Sequence, residues 1–294
     1  MLFRSLAAIY GTERQMAQAV VFDHAVPYGW LTLALYTTLG AWLVLMLTRN
    51  LKKDLTDIHL LSRPQALGLV AYLNFLCYAF LQHNALTKRG DYGSISVGEF
   101  CSMMVTLNAV LLFILGATML PSHEDLRIWW RGRHAGQESY WSERGLAWPW
   151  LVLLALIAYG MLAAQASFWK GLPVDEWPLA KAGFEMAVLL IFITRDLLFM
   201  QYCYLTKMRR PLAGGILFLG LYYFAVFILS VTVDAVSPAR VAYVYAFQPF
   251  YALIDGANTS AVMIGALLQV PVIAFLLWAI SRVLSQRPVE GAAA

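Results

Sequence analysis

The chain has 294 residues, of which 61% are hydrophobic and 13% charged, with a mean hydropathy of +0.65. A soluble domain carries about 25% charged residues, so the composition excludes an ordinary soluble enzyme and describes a polytopic membrane protein. The formal charge of +4 is too small to argue for nucleic acid as a partner, and the basic residues are read as setting topology.

In chain order, the stretch LFRSLAAIYGTERQMAQAVVF reads as an amphipathic helix that can lie along either face of the membrane. No long apolar run precedes a small-residue cleavage site there, so no signal peptide is expected. A spanning helix needs roughly 20 mostly apolar residues. Six runs qualify: Tyr28–Thr48, Ala66–Leu86, Phe100–Leu120, Trp148–Phe168, Leu212–Val233 and Asn258–Ser281. A seventh, Pro178 to about Leu205, is apolar but interrupted by Lys181, Glu185, Arg195 and Asp196. The expected fold is all-α, a transmembrane helical bundle of about seven spans, or six if one is re-entrant or interfacial. Only helices or closed barrels satisfy the backbone in lipid, and no segment alternates with period two as a barrel strand does.

Between the last two spans, Val241–Ile254 is apolar, bracketed by Asp234 and Asp255 and broken by Pro249, with Pro238 ahead of it. It is short for a span and reads as a hairpin dipping in from outside; the other reading is an aromatic-rich surface loop. The longest polar stretch, Pro121–Ala147, is too short for a core of its own. The chain is therefore one integral membrane domain, with an amphipathic segment at 1–26 and a cytoplasmic tail at 282–294.

The basic residues orient this bundle. One set of loops holds Arg49, Lys52, Lys53 and Arg63, then Arg127, Arg131, Arg133 and Arg144, then Lys207, Arg209 and Arg210, and finally Arg282 and Arg287. The opposite side holds Arg4, Arg14, Lys88, Arg89, Lys170, Lys181 and Arg240. The first set is the larger, so the N-terminus is expected outside and the C-terminus in the cytoplasm. Arg49–Gln65 is expected to form a short amphipathic helix that stops before Pro64. Ser122–Gly145 mixes paired tryptophans with arginines, which suits docking of a partner or anchoring at an anionic inner leaflet.

No catalytic chemistry emerges. HEDLR at His123 lacks the second histidine of a zinc-protease helix. The five histidines fall in loops or near span ends, away from the matched depths that haem ligation needs. No span places a histidine beside a serine or cysteine nucleophile, and no lysine sits in a P-loop setting. Asn258-Thr259-Ser260 fits a glycosylation sequon, a motif short enough to occur by chance. Cys77, Cys101 and Cys203 are scattered and read as packing residues. No catalytic residue, cofactor or metal is assigned, and the chain is not read as an enzyme.

The charged fifth run carries the main candidates. From Pro178 to Met208 a continuous helix is about 46 Å long, against a hydrocarbon core of about 30 Å. Arg195 lies roughly 25 Å along it, near the inner boundary. On that reading the Arg195–Asp196 dipeptide marks where the helix leaves the membrane. The other reading turns Arg195 or Asp196 into the bundle, where an intramembrane charge is a functional candidate by default. Neighbours on a helix point about 100° apart, so the two are not expected to pair with each other. Glu185 lies near the outer end, one turn from Lys181, and can pair with it or snorkel. In the last span Ala257, Ala261 and Gly265 recur at intervals of four, with Gln269 and Pro271 beyond. That spacing suits close helix packing, within the chain or between two copies; a substrate path past Gln269 is the alternative.

The charged RDLLFMQYCYLTKMRRP helix, the span LAGGILFLGLYYFAVFIL, the outer segment with Pro238 and Pro249, and the ending WAISRVL together resemble the C-terminal half of permease subunits of type-2 ABC exporters. RNLKKDLTDIHLLSRPQAL is similar to loops in that group. The likeness covers roughly Glu185–Leu284 and Arg49–Leu67. It implies a membrane subunit that works as a dimer with a separate ATPase chain, docked at Arg49–Gln65. Seven spans and an outside N-terminus depart from the six-span pattern of that family. The expected function is an exporter permease in a bacterial cytoplasmic membrane, contacting lipid, an ATPase chain and a second subunit. The alternative is a non-catalytic integral subunit of a respiratory or secretion assembly. An ion-coupled secondary transporter would carry an inverted repeat with broken helices at matched positions, and only one broken segment is visible.

Overall fold

The computed structural model describes residues 18–21, 24–51, 62–79, 97–167, 178–206, 211–236, 244, 247–248 and 259–285. A hairpin of β1 (Gln18–Val21) and β2 (His24–Pro27) leads into α1 (Tyr28–Leu51) and α2 (Arg63–Ala79). Then come α3 (Val97–Thr118), α4 (His123–His134), α5 (Trp148–Ser167), α6 (Pro178–Leu205), α7 (Pro211–Val236) and α8 (Thr259–Ser285). Among the described residues, Cys101–Thr118, Ala213–Val233 and Thr259–Ser285 are long and apolar enough to cross a membrane. By length and composition the chain is an integral membrane protein.

α6 is the axis of the molecule and packs against α3, α5, α7 and α8. It runs unbroken for 28 residues through both of its charged pairs. Leu189, Ile193, Leu197 and Met200 enter a core with Met104, Leu112 and Leu115 of α3 and Leu151, Leu154 and Ala158 of α5. A second cluster joins Val188 and Phe192 to Val262 and Ala266 of α8. Ala261 and Gly265 are buried as well, so the small-residue stripe serves packing within the chain. Ala257 lies outside the described residues.

One expectation is corrected here. Gln18–Val21 was read as the end of an amphipathic helix, but it is a strand paired with His24–Pro27, with Val21 opposite His24. Val20, Val21 and Val26 are β-branched and suit a pleated ribbon; residues 1–17 lie outside the described residues. Pro64, ahead of which a short helix was expected to stop, sits in the first turn of α2, where a missing N–H costs nothing. Ser62 and Gln65 close a reciprocal cap ahead of it: Ser62 N–H donates to Gln65 Oε1 at 3.1 Å and Gln65 N–H to Ser62 Oγ at 3.4 Å. The rest of the short helix expected over Arg49–Gln65 lies mainly outside the described residues, as does most of the expected hairpin at Val241–Ile254.

Ser122–Gly145, read from the sequence as a place for docking or for anchoring at the inner leaflet, is a folded unit. Ser122 caps α4 by accepting from Asp125 N–H at 3.1 Å. Glu124 and Asp125 in the first turn and Arg131, Arg133 and His134 in the last complement the helix dipole. Leu126 and Trp129 are buried with Leu198 and Leu205 of α6 and Leu276, Ile280 and Leu284 of α8. Trp129 Nε1 donates to Ser139 O at 2.9 Å, and the Arg133 guanidinium lies 3.9 Å over the Tyr140 ring. One of the paired tryptophans is thus consumed by the chain's own core.

α3 comes close to α5 and α6 at Gly116. A Cβ there would lie 2.9 Å from Leu151 Cδ2 and would also strike Leu197 Cδ1. Gly116→Ala should therefore destabilise the bundle by about 1–3 kcal/mol, the usual cost of overpacking, read as a lower thermal midpoint in detergent. Adding Leu197→Ala should recover part of the loss, and an unchanged midpoint for Gly116→Ala alone contradicts this packing.

Candidate functional site

Three polar assemblies lie inside the bundle, each joining different helices. The first joins α2 to α3. Asn74 Nδ2 donates to Asn108 Oδ1 at 2.8 Å and to Val70 O at 2.9 Å; Asn108 Nδ2 donates to Asn74 Oδ1 and to Met104 O, both at 2.9 Å. All four amide N–H donors are met, so this pair is closed and has no donor left for a ligand.

The second centres on Glu185. Its carboxylate accepts from Ser102 Oγ of α3 at 3.2 and 3.3 Å, and Lys181 Nζ stands 3.8 Å away on α6. The pairing expected one turn apart is present. Glu185 itself stays inside, 1% exposed, while Lys181 reaches out at 44%.

The third is built on Arg195 and Asp196, 6% and 4% exposed. The expectation that the two could not pair is overturned. Arg195 Nε donates to Asp196 Oδ1 at 2.8 Å and Nη2 to the same oxygen at 2.5 Å. The angular rule compares the directions in which Cβ atoms leave a helix. An arginine stem is long enough to curl across that angle, and this one lays its guanidinium 5.1 Å over the Phe192 ring. Arg195 Nη1 donates to Tyr222 Oη at 3.1 Å and to Gln269 Oε1 at 2.7 Å, and Nη2 also donates to Tyr223 Oη at 2.8 Å. Tyr223 Oη in turn donates to Asp196 Oδ2 at 2.5 Å. All five guanidinium N–H groups have an acceptor, drawn from α6, α7 and α8.

The position of these partners bears on the two readings of the dipeptide. Tyr223 is the central residue of the apolar run Ala213–Val233. Arg195 therefore lies level with the middle of that apolar helix and faces other helices, the arrangement that the interior reading expects. Tyr222, Tyr223, Ser102, Asn74 and Asn108 were not singled out from the sequence. The available signal was a hydroxyl or amide inside an otherwise apolar span, where it needs an internal partner.

Arg63, expected to face a partner chain, is instead 2% exposed. Its guanidinium donates to Ser142 O and Gly145 O and lies 6.0 Å from the Trp150 ring. Burial lowers its pKa to about 10 against the opposing charge of Glu143, so it remains a cation at neutral pH. This contact brings the start of α2 and the Ser122–Gly145 unit to one end of the molecule, with the ends of α6 and α8. Arg49 lies in the last turn of α1, and Lys52 and Lys53 lie outside the described residues. Among the described residues no group of three or more His, Cys, Asp or Glu is placed to hold a metal ion. No protein-family model, curated protein or solved structure matches this chain.

Removing one member of a buried ion pair leaves the other charged and alone, at a cost of about 3–5 kcal/mol. Arg195→Leu should therefore lower the thermal midpoint strongly. Arg195→Leu with Asp196→Leu should recover most of the loss, because no charge is then stranded. A double variant as unstable as the single contradicts the pairing.

Proposed function

We propose that the chain is a permease-type membrane subunit of an ABC exporter, supplying the membrane passage while a separate chain hydrolyses ATP. The observation that carries the reading is the Arg195–Asp196–Tyr222–Tyr223–Gln269 cluster. Ionisable residues that face the interior of a membrane bundle are rare and mark transport paths and moving parts. The resemblance of Glu185–Leu284 to type-2 exporter permeases supports the same reading. In it the helical runs give about seven spans, with the N-terminus outside and the C-terminus in the cytoplasm of a bacterial cell. The gathering of Arg63, α4 and the ends of α6 and α8 at one end supports placing those loops on one side. Since Arg63 is used within the chain, docking of the ATPase falls to Arg49, Lys52 and Lys53.

A second reading is a non-catalytic subunit of a larger membrane assembly. It is favoured by α7, whose residues Leu221, Phe224 and Phe227 are all exposed. Such a face suits lipid or the helices of a neighbouring subunit.

Purification in mild detergent, followed by identification of co-purifying chains, separates the two. The permease reading expects an ATPase chain with a Walker motif in stoichiometric amount, lost when Arg49, Lys52 and Lys53 are changed to Glu. Recovery of electron-transfer or secretion subunits overturns it.

A further inference from the structure

α7 and α8 are attached to α6 in different ways. α8 is held by apolar packing along its length, through Val262 and Ala266 at one level and Leu276, Ile280 and Leu284 at another. α7 packs mainly against α6 among the described residues, and only 11% of Ala213–Val233 is buried, against 44% of Cys101–Thr118. Its seam with α6 has an apolar part, Gly215 against Met200 and Phe218 edge-on to Phe199. At mid-length the seam is joined by three hydrogen bonds to the hydroxyls of Tyr222 and Tyr223.

The distribution of charge across this seam is the informative feature. Both members of the ion pair belong to α6, and α7 contributes only neutral phenols. Had the charges sat on different helices, moving α7 away would strand each of them in an apolar medium. Here α7 can leave while Arg195 and Asp196 stay paired, with Gln269 of α8 still accepting from Nη1. Separation breaks three hydrogen bonds and no ion pair. The closed state is specified by geometry, since all five guanidinium donors are met only when both tyrosines are in place. The open state remains within thermal reach because its polar remainder is neutral overall.

We propose that Arg195, Asp196, Tyr222, Tyr223 and Gln269 form a releasable lock, and that α7 is a gate helix that swings from α6 when its two hydroxyls let go. The lock is a property of the chain itself and goes beyond the permease reading.

The test is a pair of distance distributions from electron–electron resonance in lipid nanodiscs, with nitroxides on cysteines introduced into a background lacking the native ones. One pair places labels at Phe227 of α7 and Leu156 of α5; the other at Leu268 of α8 and Leu156. All three positions are exposed. Losing the hydroxyls in Tyr222→Phe with Tyr223→Phe should give the α7 pair a second, longer distance holding about a tenth or more of the population. The α8 pair should keep its single distance. An α7 distribution unmoved by the loss overturns the proposal, and so does equal broadening of both pairs, which signals general loosening. If the double variant does not yield folded protein, Tyr222→Phe alone removes one bond and is read by the same criteria. No partner chain enters the measurement, so its failure and that of the permease reading are distinguishable.

Discussion

A guanidinium inside an apolar bundle sets a demand that few arrangements meet. It keeps its charge, and its five N–H groups project in a fixed plane. Each needs an oxygen, because an unpaired donor away from water costs free energy on the scale of a lost hydrogen bond or more. For Arg195 those oxygens come from Asp196, Tyr222, Tyr223 and Gln269. That requirement fixes which face α7 turns to α6 and the level at which Gln269 of α8 must stand. Slipping α7 by one residue would carry both hydroxyls away from the plane. The register of three helices thus follows from one side chain.

The other interior contacts divide the remaining work. Lipid tails are as apolar as leucine, so association of helices in a membrane relies on close packing and on polar contacts between them. The Asn74–Asn108 pair registers α2 against α3, and Ser102 with Glu185 registers α3 against α6. Gly116 lets α3 come close to α5 and α6 about two turns beyond Asn108. At one end of the molecule Arg63 and Trp129 bind the loop after α4 into the bundle, by donating to its backbone oxygens. The interior polar groups are neutral or compensated, and the charge at the centre is compensated on its own helix. That last choice separates a rigid junction from one that can open.

Much of this was legible in the sequence, for a physical reason. Length and apolar content locate helices that must satisfy their own backbone, and a helix starts within a few residues of each expected run. The small stripe at Ala261 and Gly265 signalled close packing, and the Lys181–Glu185 pair followed from one-turn spacing. What failed did so where a local rule met a longer reach. The 100° rule holds for short side chains but does not bind an arginine. The Ser62–Gln65 cap that starts α2 just ahead of Pro64 was overlooked. The valines of the first strands were set inside a helical pattern that their β-branching disfavours. Tyr222 and Tyr223 were passed over, because nothing in the span names a partner that arrives from another helix.

The account stands or falls on the depth of the cluster. Nitroxide labels placed singly at Ala213, Leu221, Phe224 and Val231 along the exposed side of α7 report depth in a bilayer, through the ratio of their collisions with dissolved oxygen and with a water-soluble nickel chelate. If the Arg195 cluster lies mid-membrane, Leu221 and Phe224 at its level give the highest ratio and the two flanking positions give lower ones. A ratio that instead falls steadily from Val231 to Ala213, with Leu221 and Phe224 already near aqueous values, would return Arg195 to the membrane boundary and contradict the account.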